Sequence, residues 1–188
     1  MGSTAAVSGS QTPAFSQFFP AATVTGTIKI TPLLTPDPGV YAGAIKNLIA
    51  SATQTLYMQY QYIEPAKLGD PTAQPFTDLI NAVIDRQAHG VDVKIILRDV
   101  EKVGYLEQLR TMGLDVVTRV KIQKNVHNKG IIVDGAAVLV SSQNWSADGT
   151  LHNRDAGVII HHAEAAQYFQ RVFLHDWEHL AATKALPD

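Results

Sequence analysis

The 188-residue chain contains no cysteine. Disulfide staples, thiolate nucleophiles and zinc–thiolate centres are therefore excluded. A basic excess is also missing: 15 Lys and Arg stand against 17 Asp and Glu, a net charge of −2. That argues against a bulk electrostatic grip on nucleic acid and leaves room only for a local basic cleft. No apolar run approaches the roughly 20 residues that a membrane-spanning helix needs. Met1-Gly2-Ser3 lacks the basic and apolar regions of a signal peptide and reads as an added leader. Export or a periplasmic setting thus stays open for a longer natural protein, and the compartment is not legible. No internal repeat is present. What remains is 46% hydrophobic and 17% charged, a composition that folds rather than stays disordered.

Residues 1–27 are rich in Ser, Thr, Ala and Gly, as in a linker. The cluster Phe15, Phe18, Phe19 is unusual for one and suggests partial docking. A single domain is expected over residues 28–188. Strands are predicted at Ile28–Leu34, Thr55–Ile63, Val91–Leu97, Asp115–Arg119, Lys129–Val133, Ala136–Val140 and Asp155–Ile160. A Pro/Gly-rich loop is expected from Glu64 to Pro75. Helical spacing marks Tyr41–Ala52, Phe76–Ile84, Tyr105–Met112 and Ala166–Leu180. Asp134-Gly135 between two apolar runs is a hairpin signal. Strands alternating with helices, plus a hairpin, predict an α/β fold: a mixed β-sheet flanked by helices on both faces.

The chemistry concentrates in one stretch. His127 and Lys129 stand two apart at a strand start, so both project to the same side. Asp134, at the turn, is too far along to share that contact and is expected to anchor backbone. The hairpin returns the chain toward His127, which brings Asn144 within reach. A neutral imidazole is a competent nucleophile toward phosphorus, and Lys129 and Asn144 would stabilise charge on phosphoryl oxygens. A carboxylate on the far ring nitrogen would steady the imidazolium, and Asp155 is the candidate. No metal or other cofactor is required. In a shuffled chain of this composition H-x-K-x4-D is expected about 0.02 times.

These residues resemble the phospholipase D superfamily, with its H-x-K-x4-D-x6-G-S-x-N signature. Ser141-Ser142-Gln143-Asn144 matches the later part with Ser141 in place of Gly, and Asn153-Arg154-Asp155 matches the N-x-E that follows, with Asp for Glu. The aromatic strand Tyr57–Tyr62, Gly90–Val93 and the terminal Phe173 and Trp177 also have counterparts. The resemblance implies phosphodiester hydrolysis or phosphatidyl transfer through a phosphohistidine on His127. Catalytic roles fall to His127, Lys129, Asn144 and Asp155, with Asp134, Ser142, Gln143 and Asn153 in support. It also implies a second such motif, whose His protonates the leaving group. H-x-K occurs once here. The second motif therefore comes either from a homodimer mate or from another half of a bacterial two-motif protein, of which this chain would be the C-terminal half. Tyr62-Ile63-Glu64-Pro65 favours the latter. Phospholipid is the favoured substrate. A homodimeric endonuclease and an inactive phosphate-binding half-domain are the alternatives.

Weaker signals surround this core. His152 and Trp145 are candidates to line the substrate side, and Gln143 is a candidate second phosphate donor. Arg119, Lys121 and Lys124 offer attracting charge or merely a solvated loop. His175 and His179, at helical spacing, read as a solvated face rather than a zinc site. His161-His162 reads as a helix cap. Tyr57, Tyr60 and Tyr62 are expected mainly to pack.

Overall fold

The computed structural model describes residues 19–37, 39–67, 69–98 and 103–183. Phe15 and Phe18 lie outside them; Phe19 meets the His175 ring edge-on at 5.6 Å between centroids.

Hydrophobic runs become the strands of a seven-stranded sheet. In chain order these are β1 (Lys29–Leu34), β2 (Thr55–Tyr60), β4 (Asp92–Arg98), β5 (Val120–Gln123), β6 (Lys129–Val133), β7 (Ala137–Ser141) and β9 (Ala156–His161). Their spatial order is β1-β9-β7-β6-β2-β4-β5. β2, β4 and β5 run parallel, and β6, β7, β9 and β1 pair antiparallel. The mixed sheet of the sequence reading is therefore present. β4 carries the continuous apolar run and is covered on both faces: Val93, Ile95, Ile96 and Leu97 are at most 1% exposed, as expected for a central parallel strand.

One face of the sheet is covered by α1 (Val40–Ala50) and α2 (Gln74–Ala88), with α3 (Val103–Met112) alongside; their apolar stripes join Leu56, Met58, Ile131, Val133 and Leu139 in the larger core. The other face is covered by α6 (Ala163–His175), continued by a π-helical turn at Asp176–Leu180. There Tyr57 stacks on Phe173 at 5.1 Å and Phe173 on Trp177 at 6.3 Å, building a smaller core with Ile96, Ile132 and Val138. Aromatic stacking of this kind adds to simple area burial.

Three expectations change. The strand predicted at Asp115–Arg119 is a short helix, α4 (Val116–Arg119), because the Asp115 carboxylate accepts the Thr118 N–H as an N-cap; the strand follows as β5. The aromatic strand stops at Tyr60. Ile63–Glu64 forms a separate β3, which pairs in parallel with β8 (Trp145–Ser146). The Glu64–Pro75 loop contains a 3₁₀ turn at Pro71–Ala73, capped by Asp70, which leads directly into α2. A last short helix, α5 (Ala147–Leu151), is capped by the Ser146 hydroxyl.

The β6–β7 hairpin turns at Asp134-Gly135. Both residues are left-handed, at φ 52° and 60°, and Ala136 N–H donates to Val133 O. That double positive φ is what Asp-Gly supplies cheaply.

Candidate active site

The C-terminal ends of β2, β4 and β5 and the end of β7 meet the start of β6 and β9 along one rim of the sheet. Rims of this kind gather loops on a rigid scaffold. His127 stands there exposed, two residues before the buried Lys129. The Lys129 ammonium donates to the His127 carbonyl at 2.7 Å and lies 3.3 Å from His127 Nδ1. Burial lowers the Lys129 pKa below the usual lysine value; nearby Asp155 opposes that, and Arg98, at the end of β4, adds to it. Arg98 is a cation the sequence reading did not single out.

Lysine has no lone pair to accept while charged, so it makes Nδ1 the acceptor and leaves the ring proton on Nε2. In that tautomer Nε2 has no lone pair to offer phosphorus. The nucleophilic form moves that proton to Nδ1 and requires an acceptor beside it.

Asp155 was the expected acceptor. Its carboxylate instead receives the Ser142 hydroxyl at 2.8 Å, and among the described residues it makes no hydrogen bond to His127. Lys129 nonetheless feels its charge. The Asp155 backbone is fixed by Thr35, a fully buried polar residue. Thr35 N–H donates to Asp155 O at 3.0 Å, its hydroxyl donates to Asn153 O at 2.6 Å, and it receives Asp155 N–H at 2.9 Å. No motif or local spacing marks Thr35 for this clamp. Asn153 itself is exposed, and Arg154 pairs with Asp37 at 2.8 Å.

Asn144 sits in the loop between β7 and β8, where its Oδ1 is buried and, among the described residues, has no hydrogen-bond partner. The half-exposed Tyr62 places its hydroxyl beside the Asn144 and Ser146 side chains. Gly149 is forced to be small, since a Cβ there would stand 2.3 Å from Asn144 O. Behind the loop lie the hydroxyls of Tyr41 and Tyr60 and the Trp145 indole N–H, all buried beside one another and, among the described residues, none in a well-formed hydrogen bond. Burial drives the Tyr41 hydroxyl far above the ordinary tyrosine value.

Two expected contacts are revised. Gln143 is wholly buried and donates to Thr150 Oγ1 at 2.8 Å, so it points away from any phosphate. Trp145 is 1% exposed, packed on Tyr60 at 5.3 Å and Phe76 at 6.1 Å, and it belongs to the core rather than to a pocket wall. His152 is exposed after α5 and pairs with Asp148 at 3.0 Å. Of the basic trio before His127, Arg119 pairs with Asp92 and Lys121 donates to Trp177 O, while Lys124 is exposed. His175 and His179 have ring centroids 4.8 Å apart, and among the described residues no group of three metal-ligating side chains forms.

Asp134 lies at the opposite end of β6. One of its oxygens accepts Thr53 N–H and Thr53 Oγ1–H at 2.9 and 2.8 Å; the other accepts the N–H groups of Gln54 and Thr55 at 2.9 and 2.7 Å. Burial alone would raise its pKa, but these bonds hold it below the ordinary value.

Residues 45–177 match the family model described as "Cardiolipin synthase, PLD-like domain". The chain is 31% identical over 149 residues to a phospholipase D of Rickettsia conorii, covering 78% of this chain and 68% of that one. It is 26% identical over 104 residues to a mitochondrial cardiolipin hydrolase of Danio rerio, covering 54% of this chain and 46% of that one. Among solved structures it superposes on the phospholipase D family member Nuc from Salmonella typhimurium with a TM-score of 0.67 and 20% identity, over 84% of this chain and 99% of that one. The phosphatidylserine synthase of Haemophilus influenzae gives a TM-score of 0.60 at 15% identity, over 86% of this chain and 41% of that one. Taken with the His127–Lys129 pair on its open rim, these matches show that the chain belongs to the phospholipase D superfamily.

Proposed function

We propose that the chain cleaves or transfers a phosphodiester of phospholipid type through a phosphohistidine on His127, with a second motif of the same kind completing the site. The observation that carries this reading is the exposed His127 ring held beside the buried Lys129 ammonium, 3.3 Å from Nδ1. A nucleophile and a fixed cation meeting at one open point suit attack on an anionic phosphorus.

The reaction proceeds in two steps. With its proton on Nδ1, the His127 ring forms an N–P bond through Nε2 as the P–O bond to the alcohol breaks. The departing oxygen takes a proton from the second motif's His. That His, now neutral, takes a proton from water or from an acceptor alcohol, whose oxygen attacks phosphorus and breaks the N–P bond. Lys129 and the Asn144 amide offset the charge on the phosphoryl oxygens. Asp155, released from Ser142, is the acceptor that holds the Nδ1 proton. A second copy of this chain or another domain of a longer protein supplies the second His.

The phospholipid reading draws on the relatives named phospholipase D and cardiolipin hydrolase and on the net charge of −2. Turnover of bis(p-nitrophenyl) phosphate, measured with light scattering, tests the proposal. Turnover in a dimer, lost in His127→Ala, is expected. Turnover that persists in His127→Ala overturns it. A monomer that is inactive until a two-motif partner is supplied places the second His in another domain.

A further inference from the structure

An exposed ring meets phosphorus in line only if the main chain that carries it is fixed. The chain leaves β5 at Gln123 and enters β6 at Lys129. Between them Asn125 turns the backbone at φ 62°, Val126 is buried in the smaller core, and His127 and Asn128 are exposed. The His127 carbonyl accepts the Lys129 ammonium at 2.7 Å.

A relay of amides holds the same peptide from the other side. Asn128, next after His127, turns its side chain toward α6 and donates through Nδ2 to Gln59 Oε1 at 2.5 Å. Gln59, only 7% exposed, donates in turn through Nε2 to Asp176 Oδ2 at 3.1 Å and to Gln123 Oε1 at 3.3 Å. Gln123 Nε2 donates to the same Asp176 oxygen at 3.1 Å. Both ends of the loop, Gln123 and Asn128, are thus tied to one carboxylate at the end of α6. An ionised carboxylate only accepts. Asp176 therefore turns the Nε2 of both glutamines toward itself, and that leaves Gln59 Oε1 to receive Asn128. The carboxylate sets the direction of every amide in the relay.

Asp176 also stands where α6 passes into its π-helical turn, and such turns are frequent at functional sites. The turn is anchored on β5. Lys121 donates to Trp177 O at 2.8 Å, and Ile122 and Ala182 exchange backbone hydrogen bonds at 2.8 and 2.9 Å.

We infer that Asp176 is a positioning residue for His127, acting through Gln59, Gln123 and Asn128. The inference rests on the reading of His127 as the nucleophile and adds a group that reading does not use. Lys129 holds the His127–Asn128 peptide by its carbonyl, and the relay holds it by the Asn128 side chain. The ring is left exposed to substrate on a main chain that is fixed.

Nitrogen-15 relaxation and steady-state turnover of bis(p-nitrophenyl) phosphate, measured on the same variants, test the assignment. The His127 and Asn128 amides are expected to have order parameters of about 0.85 in the wild type and below about 0.6 in Asp176→Leu, with Ile131 and Ile132 unchanged. Asp176→Leu is expected to lower kcat about 30–100-fold and to shift KM less than about twofold, because the nucleophile is misaligned while the phosphate contacts remain. Asp176→Asn keeps an acceptor oxygen and is expected to restore both readouts. Asn128→Ala cuts the relay at its exposed end, where folding does not depend on it, and is expected to reproduce the Asp176→Leu losses; it decides the matter if Asp176→Leu does not fold. Unchanged His127 order parameters in these variants overturn the inference, as does full kcat in a variant whose His127 amide has loosened. A loss that Asp176→Asn does not restore, or that raises KM in step, overturns it too. A wild type without turnover whose His127 amide loosens as expected sinks the catalytic reading and leaves the positioning standing.

Discussion

The two ends of the five-residue strand β6 are built to opposite rules. At the turn end, both Asp134 oxygens are filled by four hydrogen bonds from Thr53, Gln54 and Thr55. At the rim end, His127 is exposed and, among the described residues, the buried Asn144 Oδ1 has no hydrogen-bond partner and the Tyr41 and Tyr60 hydroxyls no well-formed hydrogen bond. A buried polar atom without a partner costs about 1–3 kcal/mol. The H-x-K-x4-D signature thus joins two jobs in one strand. Its Asp holds the fold together, and its His stands exposed on the open rim with the Lys ammonium beside it.

Substitutions that separate the two ends sharpen that contrast. His127→Ala is expected to lower turnover about 10⁴-fold, the scale of losing a nucleophile, and to leave the melting temperature nearly unchanged because the ring is exposed. A large loss of stability would break the contrast. Asp155→Asn removes the acceptor for the Nδ1 proton and is expected to lower kcat on the order of 10²–10⁴-fold. Lys129→Met removes one fixed charge from the phosphate and is expected to cost about 10²–10³-fold. Wild-type turnover is also expected to fall as pH rises through the lowered Lys129 pKa, below the ordinary lysine range. A rate that stays flat across that range would show that the ammonium is not used.

At the other end, Asp134→Ala is expected to destabilise the fold by about 2–4 kcal/mol, since it orphans three N–H groups and a hydroxyl. Turnover per folded molecule should persist. The pH dependence follows from the sign of the shift. The folded pKa lies below the ordinary value of 3.8, so this stability is complete above that value and is lost as pH falls through the folded pKa. Urea unfolding of wild type and variant should therefore converge in strong acid. A gap that persists there would contradict the role given to the carboxylate.

What was legible in the sequence was what local pattern and spacing determine. The apolar runs gave β4, β6 and β7, Asp-Gly gave the turn, and the two-residue spacing gave His127 and Lys129 one side. What was not legible depends on partners distant in sequence. Asp115 turned a predicted strand into a helix by capping it, a competition between side chain and ladder that periodicity does not weigh. Trp145 follows Asn144 and so looked like a pocket wall, yet pairing of β8 with β3 turns it into the core against Phe76. Thr35 clamps Asp155 across 120 positions, and no short-range signal announces such a contact. Gln143 looked like a phosphate donor by proximity, but its side chain is drawn inward to Thr150.

The central claim is that the rim end of β6 does covalent chemistry through His127. Acid-free denaturing mass spectrometry of the enzyme quenched during turnover of bis(p-nitrophenyl) phosphate tests it most directly. The account predicts an added nitrophenyl phosphoryl group that maps to His127 and is absent from His127→Ala. Turnover with no adduct, or an adduct on any other residue, would contradict it.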